Sequence, residues 1–380
     1  MFLQIHTLTA YPASLLNRDD ANLAKRIPFG NAVRLRVSSQ CLKRHWREDL
    51  VEQLPDLPDA QRTRSFFTRT VLPKAVAAGV PEAQAQALIE PLAKAVIDGG
   101  VKEGGDLHQP VLFGLREADY FAELLRWAAE QSDPVKALTE RLKSKEEKEN
   151  IKAMGKAAAG LTGALFGRMV TSDLLARVDA PVHVAHAFTV HAAQTEMDYF
   201  TVVDDLNRDD ETGAAHANQT ELGAGLYYGY VAVDVPLLLS NLTGCKPKDW
   251  KAQDPTTARR ILEALIRSIL RQSPGAKKGS TAPYAWADVL YLETGTAQPR
   301  ALANAYLDAL KADGKTDLRQ AALERLAAYV KSLDEMYGGP TADDGRFLAT
   351  SLDQPPHLPP KQPVPQAVDA ALDAVFGSGR

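Results

Sequence analysis

Apolar and polar positions change rhythm several times along this chain, and each rhythm predicts an element. Phe2 to Thr9 alternates, with Leu3 and Ile5 on one side, and predicts a strand. Leu16-Asn17-Arg18-Asp19-Asp20 follows as a turn or helix entry. Arg34-Leu35-Arg36-Val37 alternates charged with apolar residues, as a half-buried strand does. Ser38 and Ser39 then offer N-cap oxygens for a helix beginning near Gln40. On that helix Leu42, Trp46 and Leu50 form an apolar stripe, and Gln40, Lys43, Arg44 and Arg47 a polar one.

From about Asp59 to Ser172 the pattern turns Ala-rich and helical, punctuated at Gly79-Val80-Pro81 and Gly99-Gly100. One amphipathic helix runs Asp119 to Glu130, with Phe121, Leu124, Leu125 and Ala128 at core spacing. Lys143 to Lys152 carries mixed charge and reads as a solvated helical face. This block predicts a helical insertion into a domain that resumes near Val178. Val182 to Val190 fits a strand or a buried helix equally. Asp198 to Val203 and Gly225 to Val235 are rich in β-branched and aromatic residues and predict strands. The acidic, turn-prone stretch between them, Asp204 to Gly223, should project. Thr256–Gln272 and Arg300–Leu333 predict helices. The tail has seven Pro between 340 and 365 and should be weakly structured, apart from a short helix around Ala367–Phe376. The class is α+β, a sheet domain with insertions; periodicity leaves the strand pairing open.

The composition is that of a globular protein: 380 residues, 45% hydrophobic and 24% charged. Cys41 and Cys245 provide neither a disulfide framework nor a zinc spacing, so a reducing cytoplasm is expected. No run approaches a membrane span, and Met1-Phe2-Leu3-Gln4-Ile5-His6 lacks the basic region of a signal peptide. The formal net charge is −4, yet residues 34–47 carry five Arg or Lys and no acid. That stretch joins cations to neutral donors at a helix N-terminus, a combination suited to phosphates. A solvated basic face is the competing explanation.

Other candidate chemistry is weaker. His183, His186 and His191 fit no standard zinc spacing and read as structural. Asp204-Asp205, followed by Asp209-Asp210-Glu211, could bind a divalent cation for phosphodiester cleavage, but consecutive carboxylates on a loop favour a solvated turn. Gly275-Ala276-Lys277-Lys278-Gly279-Ser280-Thr281 is phosphate-friendly without being a P-loop.

A family likeness rests on motifs standing in order: Leu-Asn-Arg-Asp-Asp (16–20), Arg-Val-Ser-Ser-Gln-Cys-Leu-Lys-Arg (36–44), Gly-Arg-Met-Val-Thr-Ser (167–172), Ala-His-Ala (185–187), Asp-Tyr-Phe-Thr-Val-Val-Asp-Asp-Leu (198–206) and Pro-Gly-Ala-Lys-Lys (274–278). With these motifs the chain resembles the CasC-type backbone subunit of the type I-E CRISPR surveillance complex, Cascade, a member of the RAMP superfamily. The resemblance implies a modified RRM (ferredoxin-like) palm at 1–58, 178–194 and 227–345. It further implies helical fingers at 59–177, a thumb hairpin at 195–226 and a Pro-rich tail at 346–380. It implies a non-enzymatic scaffold, with no cofactor and no metal, that binds CRISPR RNA. Several copies, about six, would form a helical filament along one guide. The other implied partners are target DNA, a 5′-handle cap, a 3′-hairpin endonuclease, a small subunit and a large PAM-recognising subunit, with no membrane. The implied palm contacts are Arg18, Ser38, Gln40, Lys43 and Arg47. Met169 would stand beside a displaced base, and Tyr199, Phe200 and Thr201 would stand in the thumb. Tyr199 occupies a position where Trp is common, and Asn218-Gln219-Thr220 departs from the family pattern. The residue chemistry adds Arg34, Arg36, Ser39, Arg44, Arg168, Lys277 and Lys278 as RNA contacts. The competing function is a metal-dependent ribonuclease using Asp204 and Asp205.

Overall fold

The computed structural model of the chain defines residues 1–97, 99–154, 159–169, 175, 177–203, 214–311, 316–341 and 344–377, with the backbone alone at 152–153, 200–203 and 214–218. It is a mixed α/β structure in two units. One comprises Met1–Leu50, Val184–Val233 and Arg259–Arg380, the other Val51–His183 and Asp234–Ala258.

A sheet organises the first unit. Across it run the strands Gly345–Thr350, Val289–Gly295, Phe2–Ser14, Ala214–Asp234, Ala187–Thr189, Ala32–Val37 and Arg26–Phe29. Phe2–Ser14 pairs antiparallel with Val289–Gly295, from Phe2 opposite Gly295 to Leu8 opposite Val289. Arg26–Phe29 forms an edge, and Pro28, which has no N–H to donate, sits there without breaking a ladder. Successive side chains turn to opposite faces. Leu8, Leu226, Tyr228 and Tyr291 therefore join one core with Leu323, Leu326 and Val330 of the Leu318–Tyr337 helix. Tyr227 joins Leu35, Val37 and Ala187 in another core, with Cys41 and Leu42 of the Ser39–Gln53 helix packed against it. On this second side Asp49 accepts from Ser268 Oγ at 2.6 Å, tying the Ser39–Gln53 helix to the Thr256–Arg271 helix.

Two expectations for this unit need correction. The Pro-rich tail is not weakly structured, since Gly345–Thr350 adds a strand to the sheet, while the helix expected around Ala367–Phe376 is present as Val364–Phe376, with Ala367, Ala371 and Leu372 fully buried. The prolines only punctuate these elements. Nor is Arg300–Leu333 one helix; a short 3₁₀ turn, Ala303–Tyr306, precedes the Leu318–Tyr337 helix.

A charged network closes one end of the sheet. Glu293 receives Arg300 Nη2 at 2.7 Å and lies 3.6 Å from His6 Nε2 and 3.3 Å from Arg346 Nε. Arg346 also donates to both oxygens of Asp334, at 2.6 and 2.7 Å. Burial works against the Glu293 charge, but His6 and Arg300 outweigh it and hold the carboxyl down to about 2.

The second unit is mainly helical. Phe66, Phe67, Phe113 and Phe121 centre its core, with the Phe66 and Phe113 rings stacked at 4.1 Å. The short strands Ala60–Thr63 and Val111–Gly114 pair beneath it. Phe121, Leu124, Leu125 and Ala128 are buried, as their spacing predicts, within a helix of Leu115–Ala129. At its N-terminus the N–H of the cap residue, Gly114, donates to the Glu117 carboxylate at 3.0 Å. Glu147, in the stretch expected to be solvated, is instead buried against Arg141 at 2.8 Å. Asp234–Ala258 groups with this unit and not with the sheet that the third palm segment implied.

The Glu293 network gives a pH dependence with a definite sign. A carboxyl held at about 2 when folded and near 4.5 when unfolded contributes stability above pH 4.5. That stability drains away as pH falls through the window toward 2. Thermal melting from pH 7 to 3 should show a steeper acid loss for the parent chain than for Glu293→Gln. Parallel curves would remove Glu293 as the source.

Candidate nucleic-acid interface

The basic face is built at one helix N-terminus. Ser38 is the cap: its Oγ accepts the Cys41 N–H at 3.4 Å, and its own N–H donates to Asn17 Oδ1 at 2.9 Å. With Cys41 and Leu42 N–H satisfied by Ser38, the N–H groups of Ser39 and Gln40 have no partner within the helix. Trp46 and Leu50 are buried beneath it and Leu42 is half-buried. Gln40 and Arg44 are exposed, while Lys43 and Arg47 are half-buried. Among the described residues Lys43 and Arg47 enter no ion pair, whereas Arg44 is engaged by Glu48 one turn on at 3.0 Å. Desolvation pushes the Lys43 ammonium down.

Distant segments converge on this terminus. Leu15 accepts the Ala276 N–H at 2.9 Å, which seats the Gly275–Thr281 loop beside the Leu16–Arg18 segment. The Cys41 thiol, 3.8 Å from Leu16 O, registers the result. Burial raises its pKa, and the charges of Arg44, Lys25 and Lys278 pull it back. Cations from three segments thus act on one point. Exposed Arg18 lies on the same Leu16–Arg18 segment, in a bridge with Ala24. Arg36 donates to Arg26 O at 3.2 Å and contacts His186 Nδ1 at 3.0 Å. Desolvation, then Arg36 and Lys25, depress the His186 imidazole. Local pattern does not mark Lys25 or the capping role of Asn17. Lys25 stands outside the basic run, and Asn17 acts through a cap formed 21 residues away.

Two expected RNA contacts are corrected. Arg34 is fully buried, donating to the carbonyls of Thr189 at 3.0 Å, Tyr306 at 2.9 Å and Leu307 at 3.3 Å. Its strand alternates as expected, but the charged face is covered at Arg34. Arg168 is buried as well, in a pair with Glu117 at 2.6 and 2.8 Å inside the helical unit. Burial raises the Glu117 pKa despite that partner. Met169, next in the chain, is 85% exposed. Lys277 is engaged by Thr220 Oγ1, while Lys278 is half-buried in the same loop.

The hairpin pairs Gln194–Val203 with Ala214–Asp234, from Gln194 opposite Ala224 to Val203 opposite Ala214. Met197 and Tyr199, two residues apart and so on one face, are 49% and 60% exposed. Phe200 and Thr201 lie in register opposite Asn218 and Ala217; their side chains, and the Asp204–Glu211 carboxylates, lie outside the described residues. The hairpin base is anchored. Buried Glu221 accepts the Ala24 N–H at 2.7 Å and pairs with Arg26, which also reaches Thr195 Oγ1 at 3.2 Å. Lys277 to Thr220 adds a second tie.

The histidines have separate partners. His183 Nε2 contacts Ala180 O at 3.1 Å. His191 donates from Nδ1 to Ala192 O at 2.7 Å and accepts the Leu226 N–H at Nε2, an arrangement of the neutral ring. Burial lowers its pKa. Among the described residues no group of three or more His, Cys, Asp or Glu converges as a metal site, and no helix is long and apolar enough to cross a membrane.

The model of the CT1975-like protein family matches residues 3–369. A solved chain titled "CRISPR RNA-guided surveillance complex, pre-nicking" superposes with a TM-score of 0.78 at 28% identity, covering 99% of this chain and 100% of its own. A second, titled "CRISPR RNA-guided surveillance complex", gives 0.63 at 24% identity over 99% and 100%, a likeness of fold. No curated protein matches the chain.

The contrast between buried and open cations is measurable. Arg34→Ala removes the guanidinium donors from the Thr189, Tyr306 and Leu307 carbonyls and should cost about 3 kcal/mol. Arg47→Ala should stay within about 0.5 kcal/mol. Chemical denaturation of both variants decides; an Arg34→Ala chain as stable as the parent would return Arg34 to the list of ligands.

Proposed function

The chain belongs to the CT1975-like protein family, and from that membership we propose that it is the guide-holding backbone subunit of a Cascade surveillance complex. The observation that carries the proposal is that Lys25 and Lys278 come within electrostatic reach of Cys41 on the Ser38-capped helix, which itself carries Lys43, Arg44 and Arg47, in a chain of net charge −4. The 28%-identical chain of an RNA-guided surveillance complex supports it.

In this proposal the sheet unit is the modified RRM palm, the helical unit the fingers and the Gln194–Asp234 hairpin the thumb. Guide phosphates lie along the Ser38–Arg47 face, held by cations, hydroxyls and backbone N–H groups that read no sequence. Base pairing supplies the specificity toward target DNA. Tyr199 on the thumb and Met169 on the fingers meet displaced bases. The subunit is a cytoplasmic scaffold without catalytic groups, and its copies repeat head to tail along one guide beside the cap, endonuclease, small and large subunits.

Two measurements test this. Lys43→Ala with Arg47→Ala should weaken binding about equally for all RNA sequences and lower the salt slope by about one unit or less for each cation. A salt titration with unchanged slope and intact folding excludes them as phosphate ligands. A heterologous interface that does not close grows with its template. Native mass spectrometry on guides of two lengths should therefore find more copies on the longer one; equal copy number, or a closed ring without RNA, defeats the scaffold reading.

A further inference from the structure

Beyond the Ser38–Arg47 face, the segment that follows the Lys277–Thr281 turn carries a feature the proposed function does not use. Ser273 Oγ accepts the Ala285 N–H at 3.0 Å and lies 3.3 Å from Ala285 O, so it pins Ala285 at two points. The Ala287 N–H donates to Leu270 O at 2.9 Å. Around these ties the chain alternates: Pro283 is buried and Ala285 half-buried, while Tyr284 and Trp286 are 74% and 68% exposed. A rigid support thus presents two large aromatic rings to solvent. The Arg271 guanidinium lies 4.6 Å from the Trp286 ring centroid, and the ring's exposure leaves it open for a second planar group. From Arg271 to Ala287 the chain holds Arg271, Lys277 and Lys278 and no acid.

We infer that Trp286, backed by Arg271 and flanked by Tyr284, is a stacking platform for a base of single-stranded RNA. Charge decides the occupant. A stretch with three cations and no carboxylate suits a polyanion, and planar rings beside cations hold unpaired bases irrespective of sequence. The inference rests on the proposed RNA-binding role for the identity of the polymer.

Tryptophan emission tests it in the full chain. Trp46 and Trp250 are buried and Trp127 half-buried, so subtracting the Trp286→Phe signal isolates Trp286. Oligouridylate should quench that emission, and an abasic ribose-phosphate polymer of the same length should not. Trp286→Ala should weaken oligouridylate binding about tenfold, with Trp286→Phe close to the parent. Equal quenching by both polymers, or RNA binding that depends on Lys43 and Arg47 without any quenching, overturns the platform and leaves the palm intact. A parent chain that binds no RNA overturns both. Loss of self-association in Trp286→Ala at unchanged RNA affinity would assign the rings to a protein contact and overturn the inference.

Discussion

The basic face depends on a cation that never reaches it. The Arg34 guanidinium is buried among carbonyls from two distant segments, Thr189 on one side and Tyr306 with Leu307 on the other. Desolvating a charge is costly, and only hydrogen bonds to its donors offset that cost. Leu307 O is held from a second direction by the Asn31 N–H at 3.3 Å. The turn there admits only glycine, because Gly30 has φ +61° and a Cβ on it would fall 1.6 Å from that oxygen. These contacts fix the Ala32–Val37 strand, and Ser38 follows it directly. The capped helix terminus, with its open backbone N–H groups, therefore takes its position in part from Arg34.

Cations near one another in sequence thus do separate work. Arg34 is an anchor, Arg44 is shared with Glu48, and Lys43 and Arg47 stay available. The exposed Arg44–Glu48 pair adds little stability in water. Such a pair opens readily, so Arg44 is not committed to Glu48. The lowered Lys43 pKa reflects desolvation, and a nearby phosphate would reverse that direction by favouring the charged form.

What the sequence discloses here depends on how local each interaction is. Trp46 and Leu50 fall on the buried stripe, and Ser38 caps its helix, because spacing and cap chemistry are settled within a few residues. Alternation in Arg34–Val37 fixes which residues share a face but not which face is covered. A segment 272 residues away covers Arg34, and no local pattern contains that. Arg168 fails for the same reason: its partner Glu117 is 51 residues back. Gly345–Thr350 hid among prolines because a short edge strand has little periodicity to show. Tyr284 and Trp286 stand in an extended segment held by Ser273, outside any helix or strand.

Glu221 bears on how the parts can move together. It is buried at the hairpin base and takes the Ala24 N–H and the Arg26 guanidinium, from the segment leading into the edge strand. Beside it, Thr220 holds Lys277 of the basic loop. The hairpin base is therefore tied through Glu221 to the edge-strand segment and through Thr220, whose side chain turns to the other face, to the loop. A displacement of the hairpin strains a buried carboxylate, whose unpairing is expensive, before it can bend freely. These two ties favour the hairpin and the basic loop moving together. A hinge at this point would let the spacing between the hairpin and the Ser38–Arg47 face drift.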